Sequence, residues 1–81
     1  MFKRRIGLHP HANGQNTQNV ANCPDLWELE SGQIAVIGAD QTELLISHLP
    51  KDASVGPDER IVVVDRHIFI NAKKDIAELE P

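Results

Sequence analysis

The stretch LWELESGQIAVIG, residues 26–38, decides the fold. It begins with alternating apolar and polar side chains, passes through a polar segment with a glycine, and ends in a short apolar run rich in β-branched residues. Alternation, a glycine turn and a second apolar run are together typical of a β-hairpin. We therefore predict two antiparallel strands with the turn at Ser31 and Gly32.

A short helix is expected after the hairpin. Asp40, followed three residues later by Glu43, is similar to a capping box at a helix start. The segment QTELLISHL, residues 41–49, carries apolar residues on one helical face and ends at Pro50, and the residue before a proline avoids the helical conformation. A helix of about two turns is too short to be stable alone, so we expect it to pack on the sheet.

A third strand is expected after a loop. Residues 51–60, KDASVGPDER, are polar and contain a Gly-Pro pair, which is typical of a turn-rich loop. IVVV, residues 61–64, is apolar on both faces, as in a strand at the centre of a sheet or one whose second face is covered by a helix or a partner chain. A right-handed β-α-β crossover would place this strand parallel to IAVIG, residues 34–38.

The segment after this strand fits either a helix or a hairpin. Asp65 can cap a helix that starts at the next residue. The apolar stripe of that helix would consist of Phe69, Ala72, Ile76 and Leu79. The alternative is a tight hairpin in VVVDRHIFI, residues 62–70, because short apolar runs do not separate helix from strand. We favour the helix, since the alanine and lysines at residues 72–74 prefer it.

The first 23 residues differ from the rest in composition. Six of the ten residues from Asn13 to Asn22 are Asn or Gln, and such a stretch gains too little from burial to offset its conformational entropy. We predict a flexible N-terminal leader over residues 1–23 and a small single α+β domain over residues 24–81, in the order β-β-α-β-α. The basic run at residues 3–5 is expected to be solvated, or to contact acidic surface within the chain or on a partner.

Charge and cysteine content limit the function classes. Residues 25–81 carry five basic and twelve acidic side chains, and such an acidic surface repels nucleic-acid phosphates and membrane head groups. The single cysteine cannot form an internal disulfide, and no apolar run has the length of a signal peptide or a membrane span. We therefore expect a cytoplasmic protein that binds neither nucleic acid nor membrane directly.

The sequence gives weak support for metal or catalytic chemistry. His9 and His11 are separated by one residue and could share a metal with Cys23. Structural zinc sites usually have four ligands, often in close pairs with a spacing that this chain lacks, so no metal or other cofactor is expected. Cys23 has no C-x-x-C partner or adjacent histidine that would stabilise a thiolate. We expect no catalytic residue, and hence a protein that is not an enzyme.

Several residues are candidates for binding a partner protein. Trp27 and Leu29 share one face of the first predicted strand, and we expect that face to be core, with a partner-binding hot spot as the alternative. The other candidates are three C-terminal apolar residues and an acidic pair: Phe69, Ile76, Leu79, Asp58 and Glu59. The acidic pair is otherwise expected to be solvated surface.

Two segments are similar to segments of other proteins: AVIG at residues 35–38 and VGPDERIVVV at residues 55–64. With the residues around them, from 23 to 76, they resemble small bacterial proteins of unassigned function. The resemblance implies a bacterial or phage origin and a single compact domain. It implies no activity, ligand or catalytic residue.

These observations favour a non-enzymatic protein-interaction or regulatory accessory module that binds another protein and can associate with itself as a homodimer. A small aliphatic core often needs contacts with a second chain to bury enough surface. One alternative is an acidic inhibitor that masks a basic nucleic-acid-binding surface of a partner. Another is a metal- or thiol-dependent protein that uses His9, His11 and Cys23.

Overall fold

The structure is a computed structural model that describes residues 1–8 and 23–81. Within these residues the strands are β1 (Phe2–Arg5), β2 (Asp25–Leu29), β3 (Ile34–Ile37), β4 (Ala39–Asp40) and β5 (Val62–Val63). The helices are α1 (Thr42–Leu45), which continues into a 3₁₀ turn at Ile46–His48, and α2 (Arg66–Ala77). The fold class is therefore α+β, as predicted.

The predicted hairpin is confirmed as β2 and β3. The two strands pair antiparallel, with Asp25 opposite Ile37 and Glu28 opposite Ile34. Gly32 lies in the turn between them with a φ of 91°, a left-handed conformation that glycine adopts without steric cost. This hairpin forms two strands of a three-stranded sheet in the order β1-β2-β3.

Strand β1 corrects the predicted leader. It pairs antiparallel with β2, and Ile6 directly after it is buried in the core. The prediction that the first residues lie outside the domain is wrong because their basic side chains have acidic partners on β2. Arg4 donates to Glu28 at 3.0 Å, and Arg5 donates to Asp25 at 3.0 Å. The predicted leader also includes residues 9–22, which lie outside the described residues.

The core lies between one face of this sheet and α2. Its buried apolar residues are Ile6, Leu26, Ile68 and Ala72, and Val64 and Leu79 pack against them. Neighbouring residues on a strand point to opposite faces, so Leu26 points into the core while Trp27 points away from it. The prediction that the face of Trp27 and Leu29 forms the core is therefore wrong, and both residues are half-buried.

Helix α2 confirms the predicted second helix but only part of its buried stripe, since Ala72 is buried and Leu79 packs against the core. Ile68 and Ala72 are buried, whereas Phe69 and Ile76 are exposed. At about 100° per residue, the buried face is rotated by roughly 50° from the predicted stripe. Ala72 belongs to both stripes, which is why the sequence pattern alone did not separate them.

Gly7 fixes the position of α2 against the sheet. Its φ is 87°, and a Cβ added at this residue would lie 3.1 Å from the Cα of Ala72. The Gly7 N–H donates to the Asp75 carboxylate at 2.7 Å. A residue without a side chain therefore lets the chain after β1 approach the helix backbone closely.

The last strand differs from the prediction. Val62 and Val63 in β5 pair antiparallel with Asp40 and Ala39 in β4, in a separate two-stranded sheet. The chain continues from β3 into the short strand β4, and after α1 the loop returns β5 antiparallel to β4 instead of beside β3. The prediction of a strand parallel to β3 is therefore wrong.

Helix α1 is also shorter than predicted. The α-helical part ends at Leu45, and the 3₁₀ turn ends two residues before Pro50. Asp40 Oδ1 accepts from the Thr42 N–H at 3.1 Å, so the Asp40 carboxylate supports the helix start as expected. Glu43 does not complete a capping box, because its carboxylate binds Arg60 instead.

Candidate interaction surfaces

The described part of the chain exposes much of its apolar surface. Burial of apolar area is the main driving force of folding, and here it involves only the few residues between the sheet and α2. The large hydrophobic residues that remain exposed include Ile34, Val36, Ile37, Leu44, Val62, Val63, Phe69, Ile70 and Ile76. Exposed apolar residues that lie together mark interaction sites more often than residues scattered singly do.

One exposed group lies on α2. Phe69 is 50% exposed and Ile76 is 43% exposed. They are seven residues apart, so both lie on the same side of the helix, beside the buried stripe of Ile68 and Ala72. Lys73 falls between them, one turn from each. This group, the α2 flank, consists of Phe69, Lys73 and Ile76.

A second exposed group lies on β3, at the edge of the three-stranded sheet. Within residues 1–8 and 23–81, no strand pairs with β3 on the side away from β2. Ile34 and Val36 are 44% and 41% exposed, and no residue of this strand is charged. An apolar edge strand without charge or proline is a template for pairing with another chain. We call residues 34–37 the β3 edge.

The opposite edge of the same sheet is protected. Strand β1 carries Lys3, Arg4 and Arg5, and its register with β2 shifts between Phe2 and Arg4. Basic side chains and a bulge are two of the devices that keep a sheet edge from pairing with other chains. The two edges of this sheet therefore differ in their capacity to accept a further strand.

Trp27 lies in a polar and aromatic cluster on the sheet face that points away from α2. Its indole Nε1 donates to Asp25 at 2.9 Å, and its ring contacts Phe2 edge-on with the centroids 5.6 Å apart. The Arg5 guanidinium lies 4.5 Å from the centroid of the Trp27 ring, a cation–π contact. These contacts give Trp27 a structural role within the domain.

A second polar cluster holds the start of α1. Asp40 accepts from the Thr42 hydroxyl at 2.7 Å and from Arg60 Nε at 3.0 Å. The Thr42 hydroxyl, followed by the Thr42 N–H and Arg60, lowers the pKa of Asp40 from 3.8 to about 2. The Arg60 guanidinium also lowers the pKa of Glu43. Carboxyl groups with lowered pKa values stay ionised near neutral pH, where a general acid or base needs a pKa close to the working pH.

The remaining predicted contact residues lie in several places. Leu79 packs against the core, and Asp58 and Glu59 are exposed in the loop before β5. The Glu59 carboxylate accepts from the Gly56 N–H at 2.8 Å, which stabilises the turn. The structure therefore groups Phe69 with Ile76 on α2, whereas Asp58 and Glu59 lie in a separate loop.

Only one of the three predicted metal ligands lies among the residues that the structure describes. His9 and His11 lie outside the described residues, and Cys23 is half-buried two residues before the start of β2. Among the residues that are described, no three His, Cys, Asp or Glu side chains are placed to hold a metal ion. The metal hypothesis stays a prediction.

The structure also brings acids and bases together in pairs that the sequence analysis did not assign. Asp25, Glu28 and Glu30 bind basic groups of the β1 segment, and Asp40 and Glu43 bind Arg60. The signal for the first group was the basic run at residues 3–5 and the acids spaced along β2. These pairs leave less acidic surface for a partner than the net charge suggests.

Comparisons with known proteins do not add a family. No family model, curated protein or solved structure matches the chain. The resemblance to small bacterial proteins stays a prediction. In the part of the chain that the structure describes, no helix has the length and apolar character needed to cross a bilayer.

Proposed function

We propose that this protein is a non-enzymatic interaction module of the cytoplasm that binds a partner protein through the α2 flank. The observation that carries the proposal is the exposure of Phe69 and Ile76 on one side of a helix whose other side packs on the core. A helix that presents apolar residues at this spacing fits an apolar groove in a partner. Large aromatic side chains such as Phe69 supply much of the binding energy at such interfaces.

The charge of α2 indicates the chemistry of the partner. Arg66, Lys73 and Lys74 are exposed on this helix, and its acidic residue, Asp75, accepts from the Gly7 N–H. A partner with an apolar groove and an acidic rim would complement this surface. The acidic-inhibitor alternative requires a basic partner, and the acid–base pairs within the chain give it less support.

Affinity capture with matched variants tests this proposal. Phe69→Glu should abolish capture of a specific protein, because it places a charge at the centre of the apolar contact. Leu44→Glu is the control, since Leu44 is an exposed leucine on a different helix. Circular dichroism and urea unfolding should show that both variants fold.

The captured protein must then be purified and titrated against the wild type and both variants. Affinity lost with Phe69→Glu and kept with Leu44→Glu supports the proposal. Equal affinity for all three, or failure to capture any protein that distinguishes them, would rule out the α2 flank. A partner that still binds Phe69→Glu, with an affinity that falls steeply with salt, would instead favour the acidic-inhibitor alternative.

A further inference from the structure

The backbone of the β3 edge has hydrogen-bonding groups on its outer side. The Leu29 N–H donates to the Gln33 carbonyl at 2.9 Å, so Gln33 points its backbone groups toward β2. In an antiparallel ladder these directions alternate along the strand. Ala35 and Ile37 therefore also point toward β2, and the N–H and carbonyl groups of Ile34 and Val36 point outward.

We propose that the β3 edge pairs antiparallel with the β3 edge of a second copy of this chain. The pairing would join two three-stranded sheets into one continuous six-stranded sheet. It goes beyond the proposed function, because it uses a strand rather than α2 and a second copy rather than a different protein. The two associations can therefore be gained or lost separately.

The sequence of β3 is self-complementary about Ala35. A two-fold axis perpendicular to the sheet places Ala35 opposite its own copy and Ile34 opposite Val36 of the other chain. Ile34 and Val36 are both exposed in the single chain and lie on the same sheet face, so the dimer would bring four exposed β-branched side chains together. Ala35 at the axis is small, which permits the close approach of a pair without direct hydrogen bonds.

The charges of the sheet favour this edge for self-pairing over the other. Two copies of β1 would place the basic run at residues 3–5 against itself, and like charges opposite each other destabilise strand pairing. Two copies of β3 bring no charged residues of the strand together. Outward N–H and carbonyl groups at Ile34 and Val36 supply four hydrogen bonds in the proposed register.

The oligomeric state tests the pairing. Sedimentation velocity of the full chain over a wide concentration range should show a reversible monomer–dimer equilibrium. Val36→Lys should make the protein monomeric, because it places a lysine in the contact of each copy. Val62→Lys is the matched control, since Val62 is a strand valine of similar exposure outside β3, and it should leave the dimer intact.

Cross-linking tests the register. In a Cys23→Ser background, Ala35→Cys should form a disulfide-linked dimer on mild oxidation, because the two copies of this residue face each other across the axis. Residue 37 lies on the same face as Ala35 but far from its own copy in the proposed register. The Ile37→Cys variant should therefore run as a monomer on gels without reducing agent. Circular dichroism should show that each variant keeps its secondary structure.

Three results would overturn this proposal. They are a monomer at every concentration, a dimer that Val36→Lys leaves unchanged, and equal cross-linking of Ala35→Cys and Ile37→Cys. None of them bears on the α2 flank, because binding of the captured partner is measured with Phe69→Glu. Partner binding that Phe69→Glu leaves unchanged, with an intact dimer, would in turn reject the proposed function alone.

Discussion

The Asp25 carboxylate binds groups of three different residues. Asp25 is 6% exposed, and its carboxylate accepts from Arg5 Nε, from the Trp27 indole and from the Leu26 N–H. A carboxylate that satisfies several donors costs more to remove than a surface ion pair, because the donors lose their acceptor while they stay partly shielded from water. Asp25 thus joins β1 to β2 through both charge and hydrogen bonding.

Replacement of Asp25 with alanine should lower the free energy of unfolding by about 2–3 kcal/mol, in line with the loss of hydrogen bonds to charged groups. Urea denaturation followed by Trp27 fluorescence measures this change. Glu30→Gln is the control, because Glu30 belongs to an exposed ion pair that should contribute less than about 1 kcal/mol. Equal effects of the two substitutions would contradict the role assigned to Asp25.

Thr42 should control the ionisation of Asp40. The Asp40 pKa is lowered to about 2, with the Thr42 hydroxyl as the largest cause. A depressed carboxyl pKa stabilises the fold above the unfolded value of 3.8, and that contribution is lost as the pH falls through about 2. Thr42→Val should therefore raise the Asp40 pKa and shift the onset of acid unfolding to higher pH.

Carbon-detected NMR titration of the Asp40 carboxyl measures this pKa directly. Thr42→Ser is the matched control, because it keeps the hydroxyl and should keep the pKa low. If the valine and serine variants give the same Asp40 pKa, the hydroxyl is not its cause.

At the scale of the element, α2 shows what periodicity can and cannot decide. The helix itself was predictable, since residues 66–77 combine apolar spacing with good helix formers. The side that is buried was not, because stripes through Ile68 and through Phe69 both contain Ala72 and fit the same period. The close approach of Gly7 to Ala72 selects the first stripe, and this contact joins residues that are distant in sequence.

The two stripes predict different effects of alanine substitution. Ile68→Ala should lower the free energy of unfolding by about 2–4 kcal/mol, the range for large-to-small changes in a core. Phe69→Ala should cost less than about 1 kcal/mol, because Phe69 is half exposed. Urea unfolding curves of the two variants measure the difference. A larger loss of stability for Phe69→Ala than for Ile68→Ala would support the buried stripe predicted from the sequence.

The strand order was also not predictable from the sequence. The hairpin of β2 and β3 was predictable because its strands are adjacent and its turn has a clear signal. The pairing of β1 with β2 was not, since it depends on basic and acidic residues separated by about twenty positions. The α2 flank was partly predictable, because the spacing of Phe69 and Ile76 along the sequence places them on one side of a helix. The β3 edge was not predictable, because the strand order depends on contacts between residues that are distant in sequence.

At the scale of the whole molecule, stability should differ between the two sheets. The three-stranded sheet shares the core with α2, whereas β4 and β5 are each two residues long and exposed. Short strands without core contacts open locally at low cost in free energy. The molecule should therefore have a stable part around Ile6 and a more easily opened part around Gln41.

Native-state hydrogen exchange compares the two parts. The Ile6 N–H donates to the Leu26 carbonyl within the core, and the Gln41 N–H donates to the Ile61 carbonyl beside β5, both at 2.9 Å. We expect Ile6 to exchange more slowly than Gln41, because its opening requires separation of the core. Rapid exchange at Ile6 would contradict the pairing of β1 with β2.

The contact of Gly7 with Asp75 spans 68 residues, and it has a consequence for the order of assembly during synthesis. Strand β1 leaves the ribosome before its strand partner β2 and its helix partner α2 are made. The β2–β3 hairpin can form from local contacts as soon as it is made, since short loops close fastest. Strand β1 is therefore translated before the β2–β3 hairpin but is fixed in place after it, and a chain released before α2 is complete would expose β1 and Ile6 to proteases.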